Sequence, residues 1–202
     1  PSQVQALYAT KDWMLEHGSS FENINTTEIS DTELERISTL QTPNKVVAVF
    51  KQLPHLEPGG TSFTLYLDTL QDPGNFGTII RTADWFGIKN IVCSKGCADV
   101  YNSKVVQSTM ASIARVNIFY DEDENWLSSQ TMPLYATTLN GTSLYEMQKT
   151  TTGVLLVGNE SKGLRQQWID LATKTITIPR KGGAESLNAA VATGIILSHI
   201  LE

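Results

Sequence analysis

Three polar segments that contain glycine carry the residues best suited to chemistry in this sequence. They span residues 72–81, 158–163 and 178–188. They offer amide, carboxylate and hydroxyl side chains and a guanidinium, all groups that bind and orient a polar or anionic ligand. Their glycines allow the backbone to bend sharply or to approach a ligand closely. Because each segment follows an apolar strand run, the three predict a ligand site at one edge of a sheet.

Arg81 is the residue of the first segment that packing explains least. It lies beside Ile79 and Ile80 on a run that predicts a helix packed against a core. A buried or cleft-lining arginine needs an anionic partner, and the planar guanidinium matches a phosphate. Asn75 has two open interpretations, an N-cap of that helix or a functional amide. In the third segment Ser186 or Asn188 could cap the next helix, yet one cap does not require both.

Apolar strand runs alternate with helical patterns after residue 62. The predicted strands are residues 63–67, 90–93, 116–119, 134–137, 153–157 and 175–178. The predicted helices are residues 77–86, 103–113, 125–129, 166–172 and 187–201. Such alternation is typical of βαβ units. The predicted fold class is therefore α/β, with a mostly parallel sheet and helices on both faces.

The first 51 residues differ from this pattern. Residues 1–17 carry apolar side chains at roughly helical spacing, which predicts an amphipathic helix. Ser30 to Glu33 form a capping box that opens a second helix reaching Leu40, and residues 46–50 are a strand run. Residues 52–62, with two prolines and two glycines, predict a linker. We expect a small, partial α+β domain at 1–51, cut short by a missing start, and a main domain at 63–202.

Several familiar sites are missing from the sequence. Residues 158–163 have glycines at Walker-like separation without the Lys-Ser/Thr pair of a P-loop, and no G-x-G-x-x-G follows the first strand. Cys93 and Cys97 lack a second ligand pair and a nearby histidine, so we expect no metal site. The two thiols fit a reducing compartment. The three scattered histidines argue against triad chemistry.

The formal net charge of −6 argues against nonspecific coating of nucleic acid but permits local basic patches. Lys162, Arg165, Arg180 and Lys181 lie beside the glycines, although a solvated surface is the simpler interpretation for each. The acidic run at 121–124 supplies much of the negative charge. No apolar run could span a bilayer and no signal-peptide pattern is present, so we expect a cytoplasmic protein without a membrane anchor.

In order and spacing, the three segments resemble the three motifs of the SpoU (TrmH) family of RNA 2′-O-ribose methyltransferases, in the SPOUT superfamily. The matching blocks are Asn75-x-Gly77-x3-Arg81, Gly158-Asn159-Glu160-x2-Gly163 and Ile178-Pro179-x6-Ser186-Leu187-Asn188. The resemblance covers roughly residue 63 to the end of the chain. It departs from the family after the proline of the third motif, where members often carry Met and this chain has Arg180.

The resemblance implies a fold and a cofactor that periodicity cannot supply. Family members tie a C-terminal trefoil knot, an exception to the rule against threaded chains, bind S-adenosylmethionine in the knot loops and form homodimers. The cofactor positions that carry over are Gly158, Asn159, Gly163, Ile178, Pro179 and Leu187. The catalytic positions that carry over are Asn75, Arg81, Glu160, Ser186 and Asn188. Arg81, Arg180 and Lys181 are the expected RNA contacts, and residues 1–51 resemble, more loosely, part of the family's substrate-binding domain.

The implied activity is transfer of a methyl group from S-adenosylmethionine to a ribose 2′-OH of a structured RNA, either tRNA or rRNA. We expect Arg81 to hold an RNA phosphate that assists removal of the hydroxyl proton, because a free guanidine base would be costly. The alternative is a catalytically inactive knotted homologue that binds RNA or a partner protein. The five catalytic positions argue against it. The missing nucleotide motifs argue against a metabolic enzyme for phosphorylated small molecules.

Overall fold

Strands and helices alternate along most of the chain, and a smaller mixed section precedes them. The computed structural model describes residues 3–201. Its strands are β1 (Val4–Ala9), β2 (Thr26–Glu28), β3 (Val46–Phe50), β4 (Thr64–Leu67), β5 (Asn90–Ser94), β6 (Asn117–Asp121), β7 (Leu134–Ser143), β8 (Val154–Val157) and β9 (Lys174–Thr177). Its α-helices are α1 (Lys11–His17), α2 (Asp31–Ile37), α3 (Pro73–Trp85), α4 (Ser103–Thr109), α5 (Gln166–Leu171) and α6 (Ala189–Ile200). The chain divides into two compact units, Pro1–Leu53 and Pro54–Glu202.

The second unit is built on one six-stranded parallel sheet. Its strand order is β6-β5-β4-β8-β7-β9, and each neighbouring pair is parallel. This confirms the predicted α/β class. Since parallel strands end at the same edge, the segments that follow β4, β8 and β9 are brought to one side of the sheet.

Both faces of this sheet are covered, as the continuous apolar strand runs require. Along β4, Leu65 and Leu67 join one core cluster while Tyr66, between them, joins the other. The first cluster includes residues of α3, α4 and α6, and the second includes Trp168 of α5. The four residues of β8 are fully or almost fully buried as well. The central strands therefore hold the site-bearing loops on a rigid base.

The first unit is a small sheet with two helices, and its beginning differs from the prediction. Its strand order is β2-β1-β3, with β1 parallel to β2 and antiparallel to β3. The predicted helix over 1–17 is wrong for its first part, because β1 occupies that stretch and α1 begins only at Lys11. Pairing with β3 decides the conformation there, and no local pattern shows that pairing. The first two residues of that prediction lie outside the described residues.

Other predicted helices are shorter in the structure. The helix predicted over 103–113 ends at Thr109, because Met110 and Ala111 have φ values of 47° and 68°, in the left-handed region. The helix predicted to reach Leu40 ends at Ile37, although its capping box is confirmed. The segment predicted as a helix over 125–129 is a single 3₁₀ turn, Leu127–Ser129. Among residues 3–201 no helix combines the length and the apolarity that crossing a bilayer requires.

Candidate functional site

Three side chains, one from each polar segment, join in a row of hydrogen bonds. The amide nitrogen of Asn188 donates to Asn75 Oδ1 at 2.7 Å, and Asn75 Nδ2 donates to Glu160 Oε1 at 3.1 Å. These residues are 113 and 85 positions apart in the chain. Asn75 acts as acceptor and donor at once, which an asparagine amide can do and a carboxylate cannot. The parallel sheet thus brings the three segments into one site.

The beginning of α3 explains why the Asn75 side chain is available. Its N-cap is Asp72, whose carboxylate accepts from the main-chain N–H of Asn75 at 2.7 Å. Pro73 takes the first helical position, where it loses no hydrogen bond. The interpretation of Asn75 as the N-cap is therefore wrong. Because the helix begins earlier than residue 75, Asn75 lies in its first turn and its amide points to Glu160 and Asn188.

Gly77, the second residue of the first block, has a packing role. A Cβ at this position would overlap the Ser108 side chain and would lie 2.6 Å from the carbonyl oxygen of Val105. Both neighbours belong to α4, so the two helices approach closely at this point. Gly77 therefore positions α3, and with it Asn75, against the rest of the unit.

The segment after β8 is a closed loop. The main-chain groups of Asn159 and Gly163 exchange two hydrogen bonds, of 3.1 and 2.9 Å. Gly163 has a φ of 69°, which favours glycine, and a Cβ at Gly158 would overlap the backbone of Gly163 and Leu164. Asn159 also donates its side-chain amide to the carbonyl of Thr69 at 2.8 Å. Glu160 is thus held at the tip of a loop tied to the end of β4.

The third segment ends where α6 begins. Asn188 is the N-cap of α6 and accepts from the N–H groups of Ala190 and Val191, so this capping prediction is confirmed. Strand β9 ends at Thr177, just before Ile178 and Pro179, which are both half-buried. Ser186 and Leu187 are exposed. Within the described part of the chain, the Ser186 hydroxyl makes no hydrogen bond.

The basic residues of the site differ in their surroundings. Arg81 is exposed, so the buried alternative of its prediction is wrong, and among residues 3–201 its guanidinium makes no hydrogen bond or ion pair. Arg180 and Lys181 are exposed too, and Arg180 donates to the carbonyl of Ala184 at 3.2 Å. Arg165 is not the solvated residue that the sequence suggested. It binds the carboxylates of Asp68 and Glu124, and the hydrogen bonding that it donates to Glu124 is the main cause of its raised pKa.

A fourth loop at this edge escaped the sequence analysis. Strand β7 pairs with β9 on both sides of residues 138–141, which bulge out of the ladder. Leu139 at the bulge is 73% exposed, and a Cβ at Gly141 would lie 2.9 Å from the main chain of Thr175. The Asn140-Gly141 pair is a turn signal that could have indicated the loop. The Arg165 pairing had no such local signal.

Comparison with known proteins identifies the family of this chain. Residues 62–198 match the sequence pattern of the SpoU rRNA Methylase family. The chain belongs to the SpoU family. It is 33% identical over 178 residues, 85% of its length, to the Bacillus subtilis enzyme 23S rRNA (guanosine(2553)-2′-O)-methyltransferase RlmP, of which the match covers 71%.

Two solved SpoU-type structures show the same architecture. A TrmH-family protein from Porphyromonas gingivalis is 38% identical and superposes with a TM-score of 0.87, covering 98% of this chain and 82% of that one. The SpoU methyltransferase AviRb from Streptomyces viridochromogenes, solved with the cofactor AdoMet, is 27% identical with a TM-score of 0.84, covering 98% and 82%. The expected membership of the SpoU family is thereby confirmed.

Proposed function

We propose that this protein transfers a methyl group from S-adenosylmethionine to a ribose 2′-OH of a structured RNA. The observation that carries the proposal is the hydrogen-bonded row of Asn188, Asn75 and Glu160, which joins one residue from each family motif. The similarity to a B. subtilis 23S rRNA 2′-O-methyltransferase supports both the reaction and the RNA substrate. Transfer assays with rRNA and with tRNA distinguish these two substrate classes.

The residues assigned to the cofactor fit an adenosine group. Within residues 3–201 the main-chain groups of Ile178 and Leu187 make no hydrogen bond, so they are free to bind an adenine edge. Ile178 and Pro179 are half-buried and offer an apolar wall. We propose that the backbone approaches the cofactor closely at Gly158 and Gly163, next to Asn159. When bound, the cofactor supplies an electrophilic methyl group on a sulfonium.

The protein must then orient and deprotonate the ribose hydroxyl, a poor nucleophile. We assign Arg81 to an RNA phosphate, because its guanidinium is exposed and has no partner of its own among the described residues. Held in this way, the phosphate can accept the proton of the hydroxyl. The guanidinium offers only donors and no acceptor, so Arg81 serves as the clamp and the phosphate as the proton acceptor.

Glu160 and Asn188 position this site together with Asn75. Asn75 holds the Glu160 carboxylate, and Asn188 connects both to the beginning of α6. We assign the exposed Ser186 hydroxyl to the ribose, since it makes no hydrogen bond within the described residues.

Further RNA contacts are assigned to Arg180 and Lys181, whose charged groups are exposed beside the third motif. Residues 1–51 are assigned to RNA recognition and 52–62 to the linker, and the main domain is 63–202. The division between the two compact units, at 53 and 54, falls inside this linker. We place the protein in the cytoplasm, which suits an RNA substrate and the free thiols of Cys93 and Cys97.

A C-terminal trefoil knot and a homodimer complete the proposal. Supporting the knot, the chain leaves β9 at the edge of the sheet and returns across it to Asn75 and α3. Supporting the dimer, Leu187, Val191 and Ile195 follow one another at a spacing of four and are 49%, 52% and 39% exposed. Leu187 precedes the N-cap of α6, and Val191 and Ile195 lie on the helix itself. Such an apolar stripe is typical of a surface that is covered by a partner.

Calorimetric titration of S-adenosylmethionine and S-adenosylhomocysteine into the full chain tests the cofactor site. We expect binding in the wild type and its loss in Gly158→Ala, because the added Cβ overlaps the backbone at Gly163. Gly182→Ala is the matched control, since a Cβ at Gly182 meets nothing within 4 Å. A folded wild type that binds neither compound would contradict the proposal.

Methyl transfer tests the reaction itself. With labelled S-adenosylmethionine, we expect label in 2′-O-methylated nucleotides of unmodified rRNA or tRNA. The RNA that accepts the label identifies the substrate class. Cofactor binding without transfer to any RNA would favour the inactive RNA-binding homologue.

A further inference from the structure

The Arg165 side chain lies between two carboxylates that come from the segments following two different strands. Its Nε donates to Asp68 Oδ1 at 2.7 Å, and Nη1 and Nη2 donate to the two oxygens of Glu124 at 2.9 and 2.6 Å. Its guanidinium also stacks over the ring of Trp168, at 5.2 Å from the centroid. The Asp68 side chain is fully buried, whereas Glu124 is 23% exposed. A planar fork that satisfies two carboxylates is a rigid connection.

This connection reaches across the sheet edge. Asp68 directly follows β4, Glu124 lies in the loop after β6, and Arg165 follows the closed loop after β8. In the sheet, β6 is separated from β8 by β5 and β4. The arginine therefore ties the loop after β8 to the ends of two other strands.

The closed loop is anchored at its two ends to two neighbouring residues, Thr69 and Asp68. Its beginning is held by Asn159, which donates to the Thr69 carbonyl at 2.8 Å. Its end is held by the main-chain N–H of Arg165, which donates to Asp68 Oδ2 at 2.9 Å. Glu160 lies between these anchors and accepts from Asn75. Any shift of Arg165 would therefore be passed to the loop that carries Glu160.

Two residues that take part in these contacts, Thr69 and Glu124, have a strained backbone. Thr69 and Glu124 have φ values of 52° and 54°, in the left-handed region that non-glycine residues rarely adopt. Such conformations persist where their surroundings determine them strongly, and they are common at functional sites. Here Thr69 holds the beginning of the closed loop by its carbonyl, and Glu124 holds Arg165 by its carboxylate.

We infer that Arg165, held between Asp68 and Glu124, is a positioning residue that fixes the Gly158-to-Leu164 loop for the cofactor and for Glu160. This inference rests on the proposed function and deepens it. Neither Arg165 nor its two carboxylates fall in the three motif blocks that suggested the site. Their effect on the reaction is exerted through the loop, without contact to the RNA.

Glu124→Gln is the sharpest variant for testing this. Replacing Arg165 would leave the buried Asp68 without its main partner and risks unfolding the unit. Glu124→Gln leaves the Asp68 pair in place and removes one charge from a partly exposed side chain. Asp84→Asn is the matched control, because Asp84 also binds an arginine, Arg115, but at the end of α3 away from this loop.

The measurements are the dissociation constant of S-adenosylhomocysteine, hydrogen exchange of residues 158–164 and the thermal midpoint, all on the full chain. We expect Glu124→Gln to weaken binding about tenfold, the effect of losing one charge-assisted hydrogen bond, and to speed exchange in the loop. Asp84→Asn should change neither the dissociation constant nor the exchange of the loop. Titrations are run well below both thermal midpoints, so a general loss of stability would not change the dissociation constant.

Unchanged affinity and unchanged loop exchange in Glu124→Gln, with only a lower thermal midpoint, would overturn the inference and leave Arg165 a purely structural residue. Failure of the wild type to bind S-adenosylhomocysteine would instead refute the cofactor assignment of the proposed function. In that case the exchange rates of residues 158–164 still decide whether Glu124 and Arg165 fix the loop.

Discussion

Asn75 shows at the level of one residue why this site needs an amide. Its oxygen accepts from Asn188 while its nitrogen donates to Glu160. Aspartate could make the first hydrogen bond but would repel the Glu160 carboxylate, and alanine would make neither. The identity of the residue is therefore set by two partners that are remote in sequence, whereas its conformation is set locally by Asp72.

Arg81 gives the prediction that belongs to the residue scale. Because its side chain is exposed and unpaired among the described residues, Arg81→Ala should leave the fold and the affinity for S-adenosylhomocysteine unchanged. Loss of the phosphate clamp should lower the rate of methyl transfer at least about 100-fold. Single-turnover transfer to the accepted RNA measures this effect.

Two further variants separate charge from geometry at this position. Arg81→Lys keeps the charge without the planar fork, and we expect a rate between wild type and alanine. Lys89→Ala removes an exposed charge just beyond α3 and should retain the wild-type rate. A wild-type rate in Arg81→Ala would show that another group handles the phosphate.

The packing of α3 on α4 determines where the first motif lies. Alanine substitutions at two glycines, Gly77 and Gly194, test this packing. Gly77→Ala should destabilise the protein by about 1–3 kcal/mol, the usual cost of overpacking. The carbonyl of Val105, 2.6 Å from the new Cβ, belongs to backbone and cannot rotate away. Gly194→Ala on α6 should instead stabilise by about 0.5–1 kcal/mol, because its Cβ would meet only Thr82 Cγ2, at 3.9 Å. Urea denaturation compares the two, and equal effects would refute this account.

A hydrogen-bonded carboxylate lies near the end of α3, and it makes the stability of the fold depend on pH. Asp84 accepts from Arg115 Nε and Ser112 Oγ, both at 2.8 Å, and the hydrogen bond from Arg115 is the main cause of its lowered pKa. An acid with a lowered folded pKa stabilises the fold above its unfolded pKa, about 3.9 for Asp. This contribution is lost as the pH falls through the folded value.

We therefore expect Asp84→Asn to lower the thermal midpoint at pH 7, and the difference from wild type to disappear as the pH falls below about 3.9. Calorimetric scans across that range measure it. Asp123→Asn serves as the control, since Asp123 is an exposed acid with no ion pair among residues 3–201, and this substitution should leave the thermal midpoint unchanged. A difference for Asp84→Asn that did not change with pH would point to packing as its cause.

At the scale of the whole molecule, the apolar stripe that runs from Leu187 along the first part of α6 predicts dimerisation. Leu187, Val191 and Ile195 are together more exposed than a monomer would favour. A charge in the centre of this stripe should be buried on dimerisation without a partner, which is costly. We expect the wild type to be a dimer and Val191→Glu to be a monomer.

Sedimentation equilibrium or light scattering gives the molecular mass directly. The control is Leu171→Glu, which places the same charge on α5, at a residue that is 41% exposed and belongs to the helix covering the other face of the sheet. It should leave the dimer intact. A monomeric wild type at micromolar concentrations, or a dimeric Val191→Glu, would contradict the assignment.

The sequence by itself determined the features that depend on neighbouring residues. The strands of the large sheet are continuous apolar runs, and Ser30 and Asn188 begin helices by hydrogen bonds within three residues. The spacing within the three motifs identified the family. All of these are short-range patterns, which a linear reading can detect.

Only the tertiary structure decided which remote residues meet. Strand β1 exists because β3 pairs with it, Asn75 meets Asn188 across 113 positions, and Arg165 meets Asp68 across 97. The side chains of Asn75, Arg165 and Asp68 have no local pattern that specifies a partner. Their contacts form because the order of strands in the sheet brings distant strand ends to one edge, and that order is a property of the whole chain.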